Sequence, residues 1–355
     1  MIIKEVKSWM ADLELTRPYA IANKTVTDVR NAFVEVTLAN GIKGIGAANP
    51  SERVVGESVE QAYARLSDEN MAFIIGRDIR EVQLILSEVQ TRFNGKPGGM
   101  AALDIALHDA FAQYLEIPLC QFLGQKIDKL PTSITIGIKD INETLVEAKE
   151  YVDRGFRVLK VKLGEQLDED IEKLTKLRER FGFNTLIRVD ANQGYDLHQT
   201  QLFFQRAEKL QIELVEQPVP VDETKSIGTL STAERKLVAA DESIRTPQDA
   251  LDLVIPEPLC GIFNIKLMKC GGVAQAIQIA RIAELANVNL MWGCNDESIV
   301  SISAALHAAF SSAQTKYIDL DGSLDLAQDV VAGGFKLEDG YMSILDKPGL
   351  GVELI

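Results

Sequence analysis

The chain has 355 residues, 46 % of them apolar and 25 % charged, and its 37 Lys+Arg against 52 Asp+Glu leave a formal net charge of −15. That usage is globular and excludes a disordered chain, while an acidic balance without any basic run argues against nucleic acid and anionic membranes as partners, since both require a cationic face. No apolar run reaches the ~18–20 residues that span a bilayer, and Cys120, Cys260, Cys270 and Cys294 form no CxxC pair, so a cytoplasmic protein without disulfides or zinc is expected.

Residues 1–60 read as strands, with alternation through Phe33-Val34-Glu35-Val36-Thr37 and turn chemistry at Ala39-Asn40-Gly41. From Glu60 to Leu123 the period becomes helical, and GGMAALDIALHDAFAQYL sets Ala102, Ile105, Ala106, Ala110 and Tyr114 on one face. Together these predict an α+β domain over residues 1–128, with Asp128-Lys129-Leu130-Pro131 as a linker. Over residues 129–323 eight short apolar runs alternate with amphipathic stretches: SITIGI, RVLKVKL, TLIRVD, IELVEQ, LVAAD, GIFNIK, NLMWGC and KYIDLD. This is the pattern of an α/β fold of the (β/α) barrel type. The tail, residues 324–355, lacks the barrel pattern and is expected to return to the first domain.

Strand side chains alternate in direction, so parity separates barrel interior from helix-facing exterior. In RVLKVKLG the apolar Leu159, Val161 and Leu163 face out, which turns Lys160 and Lys162 inward. The same parity sends Arg188, Asp190, Glu216, Asp241, Lys266, Asp319 and Asp321 into the barrel. Lys162, Asp190, Glu216, Asp241 and Lys266 recur at steps of 28, 26, 25 and 25 residues, one βα unit each, and so fall at the C-terminal ends of five consecutive strands, where barrel enzymes carry their chemistry. Three carboxylates converging there would repel unless a hard divalent cation lay between them, and oxygen-only ligands point to Mg²⁺, one per subunit. Lys162 and Lys266, on the second and sixth strands, face each other across the barrel. A lysine crowded by a metal and a second ammonium is expected to have its pKa pushed down, which makes it a base. Two such bases flanking one carbon describe a 1,1-proton transfer through a Mg²⁺-held enediolate.

The strings LKVKLG, VDANQGY, VEQPV, ADES and IKLMKCGG, in this order and spacing, resemble the enolase superfamily in its muconate-lactonizing-enzyme subgroup, over nearly the whole chain. The resemblance implies a modified TIM barrel under an α+β capping domain built from the N-terminal region and the C-terminal tail. It also implies Asp190, Glu216 and Asp241 as Mg²⁺ ligands and Lys162 and Lys266 as the acid/base pair. His108, His198 and His307 are expected to be packing or surface residues, not a catalytic dyad.

Within that subgroup, YIDLDG resembles the Asp-x-Asp of dipeptide epimerases, whose acids bind the substrate's α-ammonium; Asp319 and Asp321 would take that role, or Asp321 would instead cap a helix. The expected activity is therefore a Mg²⁺-dependent dipeptide epimerase, with L-Ala-D/L-Glu as the favoured substrate and Lys160 helping to neutralise the enediolate. The runner-up is o-succinylbenzoate synthase or another lyase or cycloisomerase of the subgroup, and the third class is a non-catalytic binding barrel. Lys24, in PYAIANKTV, stands where an arginine is typical of Ala-Glu epimerases; it either meets a side-chain carboxylate as a point charge or is a solvated loop lysine. Val54 and Val55 offer apolar cover. Thr135 is either a substrate contact through its hydroxyl or a core threonine, and Cys294 offers its backbone to the peptide. Gly271 and Gly272 fit a plain turn better than a phosphate cradle. The expected partner is a small dipeptide, and a homo-oligomer is compatible with this reading.

Overall fold

The computed structural model describes residues 1–21 and 24–355, and the side chains of residues 18–25 fall outside the described set. Strands β1 (Ile3–Ile21), β2 (Lys24–Leu38) and β3 (Lys43–Ala48) form an antiparallel meander in that order. The helix α1 (Val82–Arg92) and the longer α2 (Pro97–Tyr114) pack beside it. α2 is buried almost all round, because one side lies on the meander and another on the barrel. Its contact with β3 is backbone-close: a Cβ on Gly44 or Gly46 would fall 2.2 Å or 1.8 Å from the carbonyl oxygens of Ala106 and Ala102. Glycine on the strand and alanine on the helix are what allow this approach.

The barrel is an eight-stranded parallel sheet in chain order: β5 (Ser133–Ile136), β6 (Val158–Lys162), β7 (Leu186–Asp190), β8 (Val215–Glu216), β9 (Val238–Ala240), β10 (Ile262–Ile265), β11 (Asn289–Gly293) and β12 (Thr315–Asp319). A parallel bridge from Thr132 to Ile318, with Leu320 N–H donating to Thr132 Oγ1 at 3.0 Å, brings its edges together. The connecting helices are α3 (Ile141–Asp153), α4 (Leu167–Phe181), α5 (Leu197–Ala207), α6 (Pro247–Val254), α7 (Val273–Ala286) and α8 (Ile299–Ala309). After β8 a 3-10 segment, Val221–Thr229, replaces the helix. The lower interior is filled by Leu214, Ala239, Ile262 and Met291 against Tyr317, with the Arg188 guanidinium 5.0 Å above that ring. Among the described residues no helix is long and apolar enough to cross a membrane.

The expected linker at residues 128–131 is instead a strand in part. β4 (Lys129–Pro131) pairs with β15 (Tyr341–Ile344), itself paired with β14 (Phe335–Glu338). The hairpin turns through Asp339 and Gly340, both at positive φ (50° and 77°), and supplies the partners an extended run needs. β13 (Val331–Gly333) and β16 (Val352–Leu354) form a second small pair. The tail also touches the first domain: Leu350 N–H donates to Asp109 Oδ1 at 2.8 Å, while Asp109 Oδ2 accepts from Ile45 N–H at 2.9 Å.

Asp104 of α2 joins the two layers more directly. Its carboxylate accepts from Val273 N–H at 2.6 Å and Ala274 N–H at 3.3 Å, so the first domain caps the N-terminus of barrel helix α7. Gly272, at φ +110°, leaves the room, since a Cβ there would lie 2.6 Å from the Asp104 carboxyl. The Gly271-Gly272 turn thus receives a protein carboxylate. Asp104→Ala should strand these amides and lower unfolding free energy by about 1–3 kcal/mol, read as an earlier urea midpoint with an unchanged slope.

Candidate active site

The C-terminal ends of the barrel strands bring Lys160, Asp190, Glu216, Asp241 and Asp319 together, each under 5 % exposed. Register explains the grouping: Lys162 lies beside Asp190, and Asp190 beside Glu216, on adjacent parallel strands. Lys160 Nζ stands 3.2 Å from Asp190 Oδ2, 2.8 Å from Glu216 Oε2 and 2.8 Å from Asp319 Oδ2. Asp319 Oδ1 accepts from Ser133 Oγ at 2.6 Å, so both its oxygens are engaged within the barrel. Asp241 lies between two further lysines: Lys266 Nζ is 2.8 Å from Oδ2, and Lys269 Nζ holds Oδ1. Lys269 also donates to Asn264 O at 3.0 Å.

The three carboxylates sit on neighbouring strand ends with ammonium groups among them. Among the described residues no three His, Cys, Asp or Glu side chains are gathered around a common position. The physical reason is local: ammonium groups supply the counter-charge, one between Asp190 and Glu216 and two on Asp241. Glu216 is the least satisfied. Asn264 Nδ2–H donates to its Oε1 at 2.7 Å, whereas its Oε2 is buried without hydrogen-bond geometry to any donor. Burial and the neighbouring Asp190 charge push Glu216 up to about 8. Three buried carboxylates on neighbouring strand ends, one with an oxygen that makes no hydrogen bond and is met only by the Lys160 charge, are a donor set suited to a hard divalent cation.

Burial would lower Lys266, but Asp241 and Glu216 outweigh it and hold the ammonium above its ordinary range. Lys160 is likewise raised well above it, by Asp319, Glu216 and Asp190 against burial. Lys269 is lowered, by burial and by the adjacent Lys266 charge. Lys162 is partly buried at the end of β6.

At the eighth strand, Asp321 Oδ2 accepts from Thr135 N–H at 2.7 Å, and burial plus the Asp319 charge push it up to about 7. Thr135 is half-buried. Cys294 follows β11 directly; its Sγ accepts from Gly322 N–H at 3.3 Å and lies 3.2 Å from Asp319 O. Burial and three nearby acids hold that thiol well above its usual range, so it is not a thiolate nucleophile. Val54 and Val55 line a small cavity with Ser51, Asp241, Lys266 and Asn295, which puts the capping loop over the strand ends. Lys24 lies on β2 with its backbone paired to Ile21, and its side chain is outside the described residues. His108 and His307 are buried, with ring nitrogens bonded to Asp104 O and Cys120 N–H, and His198 is exposed.

Sequence reasoning missed Ser133, Asn264 and Lys269. Ser133 and Asn264 share the inward parity of Thr135 and Lys266 and were legible; Lys269 sits in the helical turn Leu267–Cys270, beyond the reach of strand parity.

Residues 143–355 match the family model described as enolase C-terminal domain-like, and residues 4–124 match that of the mandelate racemase/muconate lactonizing enzyme N-terminal domain. The chain is 50 % identical over 356 residues, covering 100 % of both chains, to the L-Lys-D/L-Arg epimerase of Desulforapulum autotrophicum. It is 33 % identical over 355 residues, covering 99 % of each, to the L-Ala-D/L-Glu epimerase of Clostridium acetobutylicum. Its fold matches the crystal structure of a dipeptide epimerase from Methylococcus capsulatus complexed with Mg and L-Arg-D-Lys, with a TM-score of 0.96, 47 % identity and 99 % of each chain covered.

Proposed function

The chain belongs to the mandelate racemase/muconate lactonizing enzyme family of the enolase superfamily and is a Mg²⁺-dependent dipeptide epimerase, and from that premise we propose that its substrate is a dipeptide with a cationic second residue, of the L-Lys-L-Arg kind. The observation that carries this is the 50 % identity, over the full chain, to an epimerase of that specificity, against 33 % to one acting on L-Ala-D/L-Glu. The mouth agrees with it electrostatically. Burial and the Asp319 charge push Asp321 up to about 7, so the acid after the eighth strand gains from a substrate cation and loses from a second carboxylate. The L-Ala-D/L-Glu reading rests on Lys24 in the capping hairpin and is the competitor. With Mg²⁺ present, kcat/KM for L-Lys-L-Arg should exceed that for L-Ala-L-Glu by at least about tenfold, the weight of one charge-assisted contact. The reverse order would transfer the assignment to L-Ala-D/L-Glu.

Asp190, Glu216 and Asp241 would hold the metal, which when bound offsets the charge of the substrate carboxylate and so eases loss of the adjacent α-proton. Lys162 and Lys266, from strands on opposite sides of the barrel, flank the second residue's α-carbon: one removes its proton and the other delivers a proton to the opposite face. Lys160, fixed by Asp319, adds positive charge where carbanionic character develops. Thr135 contributes its hydroxyl, and Cys294 its backbone, to the peptide's binding.

Asp321 is assigned to the substrate's α-ammonium, since Thr135 N–H orients one of its oxygens while Asp319 is already engaged by Ser133 and Lys160. Asp321→Asn should reduce kcat/KM for a free dipeptide by roughly ten- to a hundredfold and leave its N-acetyl derivative nearly unaffected. The ionised form predominates only above about 7. Wild-type kcat/KM should therefore fall as pH drops through that value, and the variant should lose that limb of the pH profile.

A further inference from the structure

We propose that Asn264 is a positioning residue that ties Glu216 to Lys266 and sets the direction from which Lys266 meets the substrate. Asn264 lies on β10, two residues before Lys266 and on the same inward face, and is fully buried. Its main chain is pinned, because Lys269 Nζ donates to Asn264 O at 3.0 Å. Its amide is oriented as well: Nδ2–H donates to Glu216 Oε1 at 2.7 Å, which commits Oδ1 to the opposite side. There Oδ1 is buried without a donor.

Gly293, at the end of β11, shows what that acceptor faces. A Cβ on Gly293 would lie 2.7 Å from Asn264 Oδ1, 3.0 Å from Nδ2 and 3.0 Å from Lys266 Cε. The asparagine amide and the end of the lysine stem thus both border the space left by the missing side chain of one glycine. Lys266 Nζ carries three protons and is engaged by Asp241 Oδ2. A buried acceptor is costly to leave unmet, and an ammonium at the tip of that stem is the donor able to meet it. Asn264 thereby donates to Glu216 while its free Oδ1 offers Lys266 Nζ an acceptor as that ammonium leaves Asp241. It limits the arc through which Nζ swings between Asp241 and the α-carbon. Lys162, on the far side of the barrel, has no such tie to Asn264.

This inference rests on the two-lysine reading, and its test separates the two. Lys266→Ala and Lys162→Ala first identify, by α-deuterium exchange in D₂O, which epimer each lysine serves. Asn264→Leu, close in size and without the amide, should then slow exchange of the epimer served by Lys266 about ten- to a hundredfold more than exchange of its counterpart. Because Asn264 does not touch substrate, KM should change little. Mn²⁺ affinity, read by electron paramagnetic resonance, should weaken through the lost Glu216 contact, but that loss bears on both epimers alike. Asn264→Ser carries the same comparison should the leucine variant not fold. Equal slowing of both epimers, or none, would overturn the positioning role while leaving the two lysines in place. If the two single-lysine variants exchange the same epimer, the two-base reading falls, and this inference falls with it.

Discussion

Lys266→Ala should abolish epimerisation, lowering its rate by about 10²–10⁴-fold or more, yet leave the protein able to exchange the α-proton of one epimer with solvent. The asymmetry is the informative part. A lysine on one side of the substrate reaches only the hydrogen on that side, so Lys162, left alone, serves one configuration and cannot complete the inversion. Lys162→Ala should show the complementary preference. In wild-type enzyme, product formed in D₂O from either configuration should carry deuterium at the second residue's α-carbon, because the incoming proton comes from a different amine than the one that took the first. Proton NMR of the recovered dipeptides reads all three results. Near wild-type epimerisation in either variant would remove the two-base assignment.

Glu216→Gln should have the next largest effect, a loss on the order of 10²–10³-fold in kcat together with much weaker Mg²⁺ binding by calorimetry. Glu216 is the middle acid of the three, fully buried, and its Oε2 faces the Lys160 ammonium at 2.8 Å without hydrogen-bond geometry to it. An amide of the same shape removes the negative charge without opening a cavity, so circular dichroism and the unfolding midpoint should stay close to wild type. The wild-type enzyme should lose turnover on exhaustive chelation and regain it with added Mg²⁺. Metal affinity unchanged by Glu216→Gln would move the ligand role elsewhere.

Much of this arrangement is legible in the sequence. Period-two alternation is a direct consequence of strand geometry, so the inward assignment of Lys160, Asp190, Glu216, Asp241 and Asp319 needed only the correct strand boundaries, and all five are buried. The eight apolar runs coincide with the eight barrel strands for the same reason. Alternation gives direction but not partners. It could not tell that Asp319 is taken up by Ser133 and Lys160 while Asp321 rests on a backbone amide. Lys269 escaped because the strand ends at Ile265 and the next turn is helical, where residues three apart lie on one side; Lys266 and Lys269 can then both reach Asp241. The tail hairpin announces itself in Asp339-Gly340, the dipeptide that tight hairpins favour, but only a pairing partner in β4 makes Lys129–Pro131 a strand.

The Asp104 contact constrains how specificity in this enzyme can be re-engineered. The capping loops are the natural parts to exchange with a relative, and grafting a whole cap onto this barrel is the direct way to do so. Such a chimera inherits a lock and a keyhole from different parents: a carboxylate at position 104 on the graft, and the side-chain-free Gly272 with the open amides of Val273 and Ala274 on the recipient. A donor cap lacking the acid leaves a helix end bare in the seam, and a recipient barrel with any larger residue at 272 refuses the acid outright. Productive hybrids should therefore come from parents that match at this one junction, whatever their similarity elsewhere.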